Sequence, residues 1–231
     1  MPRYFAILPA AGHGERFGGD KPKQYSTIEG KTLIQHSIDR LRAAVPLARI
    51  YVALAIQDSW FDDAVASGEE VVALRCGGST RAVTVARCLD GMVEVADDDW
   101  VLVHDSVRPC VDPASLKRLI DELADDDVGG LLAVPASATL KRADGFRRSI
   151  RTESRDGIWL AQTPQMFRCG VLRKALARPG SEHATDEAQA VEELGMHPRL
   201  VIGSRDNVKV TYPDDLVLAA AILTVQARRT S

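Results

Sequence analysis

Between Leu8 and Tyr25 the chain reads LPAAGHGERFGGDKPKQY, and these residue types suit a polyphosphate. Small residues following Pro9, at Ala10, Ala11, Gly12 and Gly14, let the backbone approach a ligand closely, and consecutive free N–H groups form a concave anion site. Arg16, Lys21 and Lys23 come next, fixed cations able to neutralise phosphate charge while a bond breaks. Spacing tests which kind of glycine loop this is. A dinucleotide fingerprint, G-x-G-x-x-G, fails because Phe17 stands where the third glycine belongs, with Gly18 one place late. The strand expected over Arg49–Ile56 also ends Ala-Leu-Ala-Ile, without the acid that would hold a ribose. A Walker loop fails as well, since Gly14 and Gly19 have its spacing but Asp20 occupies the lysine position. Taken alone, the loop also fits a turn carrying incidental charge.

Further polar clusters follow apolar segments, at the place where open α/β sheets collect ligands. They are Gly77-Gly78-Ser79-Thr80-Arg81, His104-Asp105-Ser106-Val107-Arg108-Pro109 and Ser137-Ala138-Thr139. The glycine pair opens a helix, so its N–H groups and Thr84 could meet a base or a ribose. Asp105 is placed to hold a metal or a sugar hydroxyl, and equally to cap a turn. His104 reads as a packing residue at a strand end rather than a base.

The elements that must position these groups alternate. A helix is predicted over Thr32–Val45, with apolar residues at Leu33, Ile34, Ile38, Leu41 and Val45 and with Thr32 and Gln35 spaced as a capping box. Strands are predicted over Arg49–Ile56, Val71–Arg75, Trp100–His104 and Gly130–Pro135, and helices over Ser79–Val95, Asp112–Ala124, Asp186–Leu194 and Pro213–Ala227. A short strand is expected at Val208–Thr211. This alternation implies an α/β fold: a single Rossmann-like domain over residues 1–231, with a mostly parallel twisted sheet flanked by helices. The pattern breaks between Ser137 and Trp159, where basic residues surround an Asp144-Gly145 turn signal. A projecting β-arm fits, and because an isolated hairpin is marginal in water it is expected to pack on a second subunit. A solvated basic loop is the alternative.

Composition narrows the function classes. The net charge of −3 has both signs mixed, which argues against a nucleic-acid or acidic-membrane partner. No segment reaches the ~20 apolar residues of a membrane span. The four cysteines are scattered without a C-x-x-C pair, as expected for reduced thiols in a cytoplasmic protein.

The motifs LPAAGHGERFGGDKPKQY (8–25), GGSTRAVTV (77–85), VLVHDSVRP (101–109), WLAQTPQMF (159–167), ATDEAQAVE (184–192) and DNVKVTYPDDL (206–216) span nearly the whole chain. Together they resemble the 2-C-methyl-D-erythritol 4-phosphate cytidylyltransferase family, nucleotidyltransferases that serve isoprenoid synthesis without mevalonate. Departures from the family pattern are small: Ser106-Val107 replaces the more usual Ala-Ala, and Thr84 stands where serine is common. The resemblance implies transfer of CMP from CTP to the 4-phosphate of methylerythritol, with release of pyrophosphate and a requirement for Mg²⁺. It also implies a homodimer in which the arms of two subunits clasp.

By the same resemblance, Arg16 and Lys23 stabilise the α-phosphate and the leaving pyrophosphate, while Arg155 and Lys209 position the acceptor phosphate. Pro9, Ala10, Ala11, Gly12, Gly14, Gly78, Thr84 and Ser106 are expected to hold CTP. Asp105, Arg108, Thr139, Thr163 and Thr185 are expected around the acceptor, with Asp105 a candidate contact for a metal held mainly by the CTP phosphates. A cytidylyltransferase for another polyol phosphate, such as ribitol 5-phosphate, would share the nucleotide half. A non-catalytic nucleotide binder on the same fold would have no need for both sets of phosphate cations.

Overall fold

A computed structural model describes residues 2–230 apart from residues 13, 15, 16, 19, 20 and 67. Strand β1 (Tyr4–Ala10) lies at the middle of the sheet, between β4 (Leu47–Leu54) and β6 (Trp100–Val103), and pairs with both in parallel. Beyond β4 lies β5 (Val71–Leu74); β10 (Trp159–Arg168), β7 (Gly129–Pro135) and β11 (Arg199–Ile202) continue past β6. The strand order is thus β11-β7-β10-β6-β1-β4-β5, and the direction of winding reverses between β1 and β6. That switch point opens a crevice at the carboxyl ends of the two strands.

The two-residue period of the central strands feeds a core on each face. Ala6, Leu8, Ile50, Val52 and Leu102 pack on one side against α1 (Leu33–Ala44) and α4 (Pro113–Leu123). Phe5, Ile7, Tyr51, Val101 and Val103 pack on the other against α3 (Arg81–Gly91) and α5 (Cys169–Leu176). The α1 stripe of Leu33, Ile34, Ile38 and Leu41 is fully buried, each side chain contributing roughly 1.5–3 kcal/mol of burial. A third, smaller cluster seats α7 (Asp214–Thr230) on Val107, Cys110 and Val210, behind the crevice. Short elements fill the connections: β2 (Thr27–Ile28), β3 (Lys31–Thr32), α2 (Phe61–Ala64) and α6 (Glu187–Glu192).

Helix starts follow their caps. Thr32 accepts from Gln35 N, and Asp112 accepts from Ser115 N with Pro113 in the first turn. The Thr32 box is only half formed, because Gln35 turns away to Asp39 and to Ala66 N instead of back to Thr32. The helix expected over Ser79–Val95 is shorter, and residues 208–211 are no strand. The backbone of that segment meets the core where Val210 N donates to Val107 O at 2.9 Å.

Two features depart from a simple parallel pattern. β10 runs antiparallel between β6 and β7, where no strand is predicted. A proline inside a central strand argues against that assignment. Here Pro164 falls where the pairing with β7 is interrupted, between Ala161 and Gln165, so its missing N–H breaks no ladder bond. The arm does form. β8 (Leu140–Ala143) and β9 (Ser149–Glu153) pair as a separate antiparallel hairpin, and Asp144 Oδ1 accepts from Phe146 N and Arg148 N across the turn.

Candidate active site

At the switch point a cleft of about 320 Å³ is lined by the end of β1, the turn carrying Lys23, the start of α3 and the loop after β6. Every residue expected at the nucleotide lines it: Pro9, Ala10, Ala11, Gly12, Gly14, Gly78, Thr84 and Ser106. Local bonds set these groups in place. Gln24 Nε2 donates to Ala10 O at 2.7 Å, and Ser106 Oγ donates to Pro9 O at 3.1 Å. Gly77 N donates to Leu54 O at 2.8 Å, which ties the glycine pair to the end of β4. The Gly78 N–H is already engaged, donating to Thr84 Oγ1 at 3.0 Å, while Thr84 donates to Thr80 O at 2.9 Å. Thr84 therefore shapes the loop from within. A Cβ at Gly78 would fall 2.4 Å from Val83 Cγ1, so the tight turn requires glycine.

Lys23 enters the cleft from a short turn whose neighbour, Tyr25, is fully buried and donates to Asp58 Oδ2 at 2.7 Å. That anchor fixes the turn, and Lys23 Nζ reaches Val210 O at 3.0 Å. Arg16, expected beside it, lies outside the described residues.

A second hollow, of about 160 Å³, adjoins the first and shares Arg81, Asp105 and Lys209 with it. Asp105, Arg108, Thr163, Thr185 and Lys209, all expected around the acceptor, line it together. The Asp105 side chain is 7% exposed and meets Arg81 Nε at 3.3 Å, Arg108 Nε at 3.1 Å and Lys209 Nζ at 3.0 Å. Burial alone would raise its pKa; Arg81, Lys209 and Arg108 outweigh burial and hold the carboxyl well below the usual carboxylate range. Arg81 also donates to the fully buried Glu187, from Nη1 to Oε1 at 2.6 Å.

Behind Asp105 a relay of hydrogen bonds fixes its backbone. Asp105 N donates to Thr163 Oγ1 at 3.0 Å, and Thr163 Oγ1 lies 3.0 Å from His104 Nδ1. His104 Nε2 lies 3.2 Å from Arg108 O, which can only accept. Nε2 therefore carries a proton, and because burial pushes the pKa down to about 4 the ring is neutral, with Nδ1 left to accept from Thr163. His104 is a structural link, as its place at a strand end suggests.

Thr139 and Arg155 line neither cavity. Both are exposed at the base of the arm, where Arg155 Nη1 donates to Ser137 O. Three cations converge on one carboxylate at the second hollow: Arg81, Arg108 and Lys209 all pair with Asp105, and Arg81 pairs with Glu187 as well. No cluster of carboxylate, histidine or cysteine side chains suited to a metal occurs among the described residues. Asp105, ringed by cations, does not fit a protein-held Mg²⁺.

Arg81 and Glu187 carry no assigned role in the sequence reading, although both fall inside its motifs. A signal was present in Arg81, a cation in the first turn of a helix, where the macrodipole disfavours positive charge. Such a placement requires a nearby anion. Nothing in the alternation of apolar residues showed that Glu187 would be that anion.

A family model for IspD, 2-C-methyl-D-erythritol 4-phosphate cytidylyltransferase, matches residues 4–225. Curated proteins of that name from Dechloromonas aromatica and Laribacter hongkongensis are 52% and 51% identical over 226 residues. The alignments cover 96% of this chain and 98% and 97% of theirs. A crystal structure of 4-diphosphocytidyl-2C-methyl-D-erythritol synthase superposes with a TM-score of 0.86 at 35% identity, covering 96% of this chain and 99% of that one. The Francisella tularensis enzyme of the matched family gives 0.82 at 35% identity, covering 95% and 99%. No described helix is long and apolar enough to cross a membrane.

Proposed function

Because the chain belongs to the 2-C-methyl-D-erythritol 4-phosphate cytidylyltransferase family and transfers CMP from CTP to that sugar phosphate, we propose that the larger cleft holds CTP and the smaller hollow holds the acceptor. The observation that carries this division is the shared wall of Arg81, Asp105 and Lys209, which makes the two cavities one continuous site. An acceptor phosphate near Lys209 would face an α-phosphate near Lys23 across that wall.

The chemistry is phosphoryl transfer. An oxygen of the acceptor phosphate attacks the α-phosphorus, a new P–O bond forms, and the bond to the bridging oxygen breaks to release pyrophosphate. The nucleophile is already an anion, so no general base is required, and catalysis reduces to alignment and charge stabilisation. Lys23 supplies a compact charge at the glycine loop, and Arg16 is proposed as its companion. Lys209 positions the acceptor phosphate; Asp105 accepts from its hydroxyls. Arg108, Thr163 and Thr185 complete the hollow.

The family's divalent metal, taken here as Mg²⁺, is proposed to come with the CTP phosphates rather than on a protein ligand set. Lys209, the cation assigned to the acceptor phosphate, is itself paired with Asp105, so a further cation would strengthen that half of the site. We therefore propose a homodimer in which Arg155 and Thr139 of the arm serve the partner's acceptor hollow. Phe146 and Ile150, 88% and 61% exposed on the arm, supply apolar surface for that contact. The cysteines are all free, as suits a cytoplasmic enzyme.

A product assay tests the reading. With CTP and Mg²⁺, methylerythritol phosphate should give its CDP derivative and pyrophosphate faster than ribitol 5-phosphate does. Faster formation of CDP-ribitol would move the specificity to the other polyol.

A further inference from the structure

Arg81 stands between two acids and shares itself unequally. Its Nη1 lies 2.6 Å from Glu187 Oε1, whereas its Nε reaches Asp105 Oδ1 only at 3.3 Å. Glu187 is fully buried and lines neither cavity; burial pushes its carboxyl up, and Arg81, its ion-pair partner at that depth, opposes this. Arg81 Nη2 and Glu187 Oε2 are buried without hydrogen-bond partners among the described residues. A guanidinium and a carboxylate left to themselves form a two-pronged pair, so this one-pronged contact reflects competition from Asp105. On Asp105, Oδ2 is taken by Arg108 Nε at 3.1 Å and Lys209 Nζ at 3.0 Å. Among the described residues Oδ1 has only the long contact with Arg81, which leaves it the oxygen open to a substrate hydroxyl.

We propose that Glu187 is a positioning residue for cytidylyl transfer: by holding Arg81 back, it keeps Asp105 Oδ1 available to accept from the acceptor's hydroxyls. This rests on the assignment of the smaller hollow to the acceptor. Without the Glu187 charge, Arg81 closes on Asp105 and occupies the oxygen that the substrate needs. The residue thus acts on acceptor binding through Arg81, without touching substrate.

Steady-state kinetics with CTP, Mg²⁺ and methylerythritol phosphate test it. Glu187→Gln should raise KM for the acceptor by about tenfold, the scale of losing one hydrogen bond to a charged group. Its kcat and its KM for CTP should stay within about twofold of the parent, the signature of lost ground-state binding. Adding Arg81→Met to Glu187→Gln should then lower the acceptor KM again, because no guanidinium remains to cover Asp105. A purely structural pair predicts that the double variant is at least as impaired. An unchanged acceptor KM in Glu187→Gln, or a double variant no better than the single, overturns the proposal. Should Glu187→Gln not fold, Glu187→Asp retains the charge but retracts it by one methylene; a raised acceptor KM there supports the proposal and an unchanged one overturns it. Asp105→Asn separates this from the underlying assignment. If it leaves acceptor KM unchanged, the hollow is misassigned; if it raises KM while Glu187→Gln does not, only the role of Glu187 fails.

Discussion

Gly14 lies directly against Lys23: a Cβ at position 14 would come 2.8 Å from Lys23 Cδ and 2.9 Å from Cγ. With φ at +73°, Gly14 also holds a backbone conformation that other residues adopt at a cost. The glycine thus gives the lysine stem its track into the cleft, and the two positions are linked in function. Lys23→Ala should lower kcat by about 10²-fold or more, the scale of removing one electrostatic stabiliser of a transition state. Gly14→Ala should act in the same direction but less, about tenfold, because the stem can bend around a methyl while its head is displaced. A near-normal kcat in Lys23→Ala would show that this charge does not act in the transition state.

The position of Arg155, on the arm and outside both cavities, makes a sharper test possible. Arg155→Ala should mainly impair use of the acceptor while leaving CTP binding nearly intact. If the arm serves the partner's site, mixing Arg155→Ala with Lys23→Ala subunits restores one intact site in each mixed dimer. After subunit exchange the mixture should recover about one quarter of parental activity. An arm acting within its own subunit leaves every site with one defect, and the mixture stays inactive.

The parts of the fold legible in the sequence were those carried by local physics. Asp112-Pro113 started a helix because cap and first-turn proline satisfy orphan N–H groups without tertiary help. The run at Trp100–His104 became a central strand over Trp100–Val103 because burial on both faces demands unbroken apolar sequence. β10 was missed because its middle, Gln162-Thr163-Pro164-Gln165, is polar for reasons that are long-range. Gln162 Nε2 donates to Ser204 O, Gln165 Nε2 to Asp186, and Thr163 bonds His104. The site divides in the same way. Small residues and cations at strand ends announced the nucleotide half, whereas the Arg81–Glu187 pair joins residues 106 positions apart and leaves no mark in any local pattern.

Cys76 directly precedes the Gly77-Gly78 turn, and its thiol is set apart from the others. A hydrogen bond with Cys88 pulls its pKa down to about 7, burial opposes this, and Arg87 adds to the lowering. Burial pushes Cys110 up to about 12 and Cys169 up to about 11. With its pKa lowered and its side chain only partly buried, Cys76 should be labelled by iodoacetamide well ahead of the buried Cys110 and Cys169. The labelling rate should rise with pH through about 7, and CTP should slow it by covering the adjoining turn. Labelling of Cys110 at a comparable rate would contradict this ordering.

His104 makes stability depend on pH above the ordinary carboxylate range. Burial lowers its folded pKa to about 4 from an ordinary value of 6.5. Between those values the unfolded chain binds a proton that the folded chain does not, so stability falls as pH falls. The loss begins near pH 6.5, is complete near pH 4, and amounts to roughly 3 kcal/mol for this one group. Below that, Asp105 takes over: its depressed pKa adds stability that is intact above the ordinary carboxylate value and is lost as pH falls from there toward the folded pKa. Urea midpoints measured from pH 7 to pH 4 should therefore decline, and His104→Gln should flatten that decline even if the variant is less stable at pH 7. An equal slope in parent and variant would mean that the imidazole is protonated in the folded state. The relay from Asp105 through Thr163 would then have to run in the opposite sense, with the His104 ring donating to Thr163 rather than accepting from it.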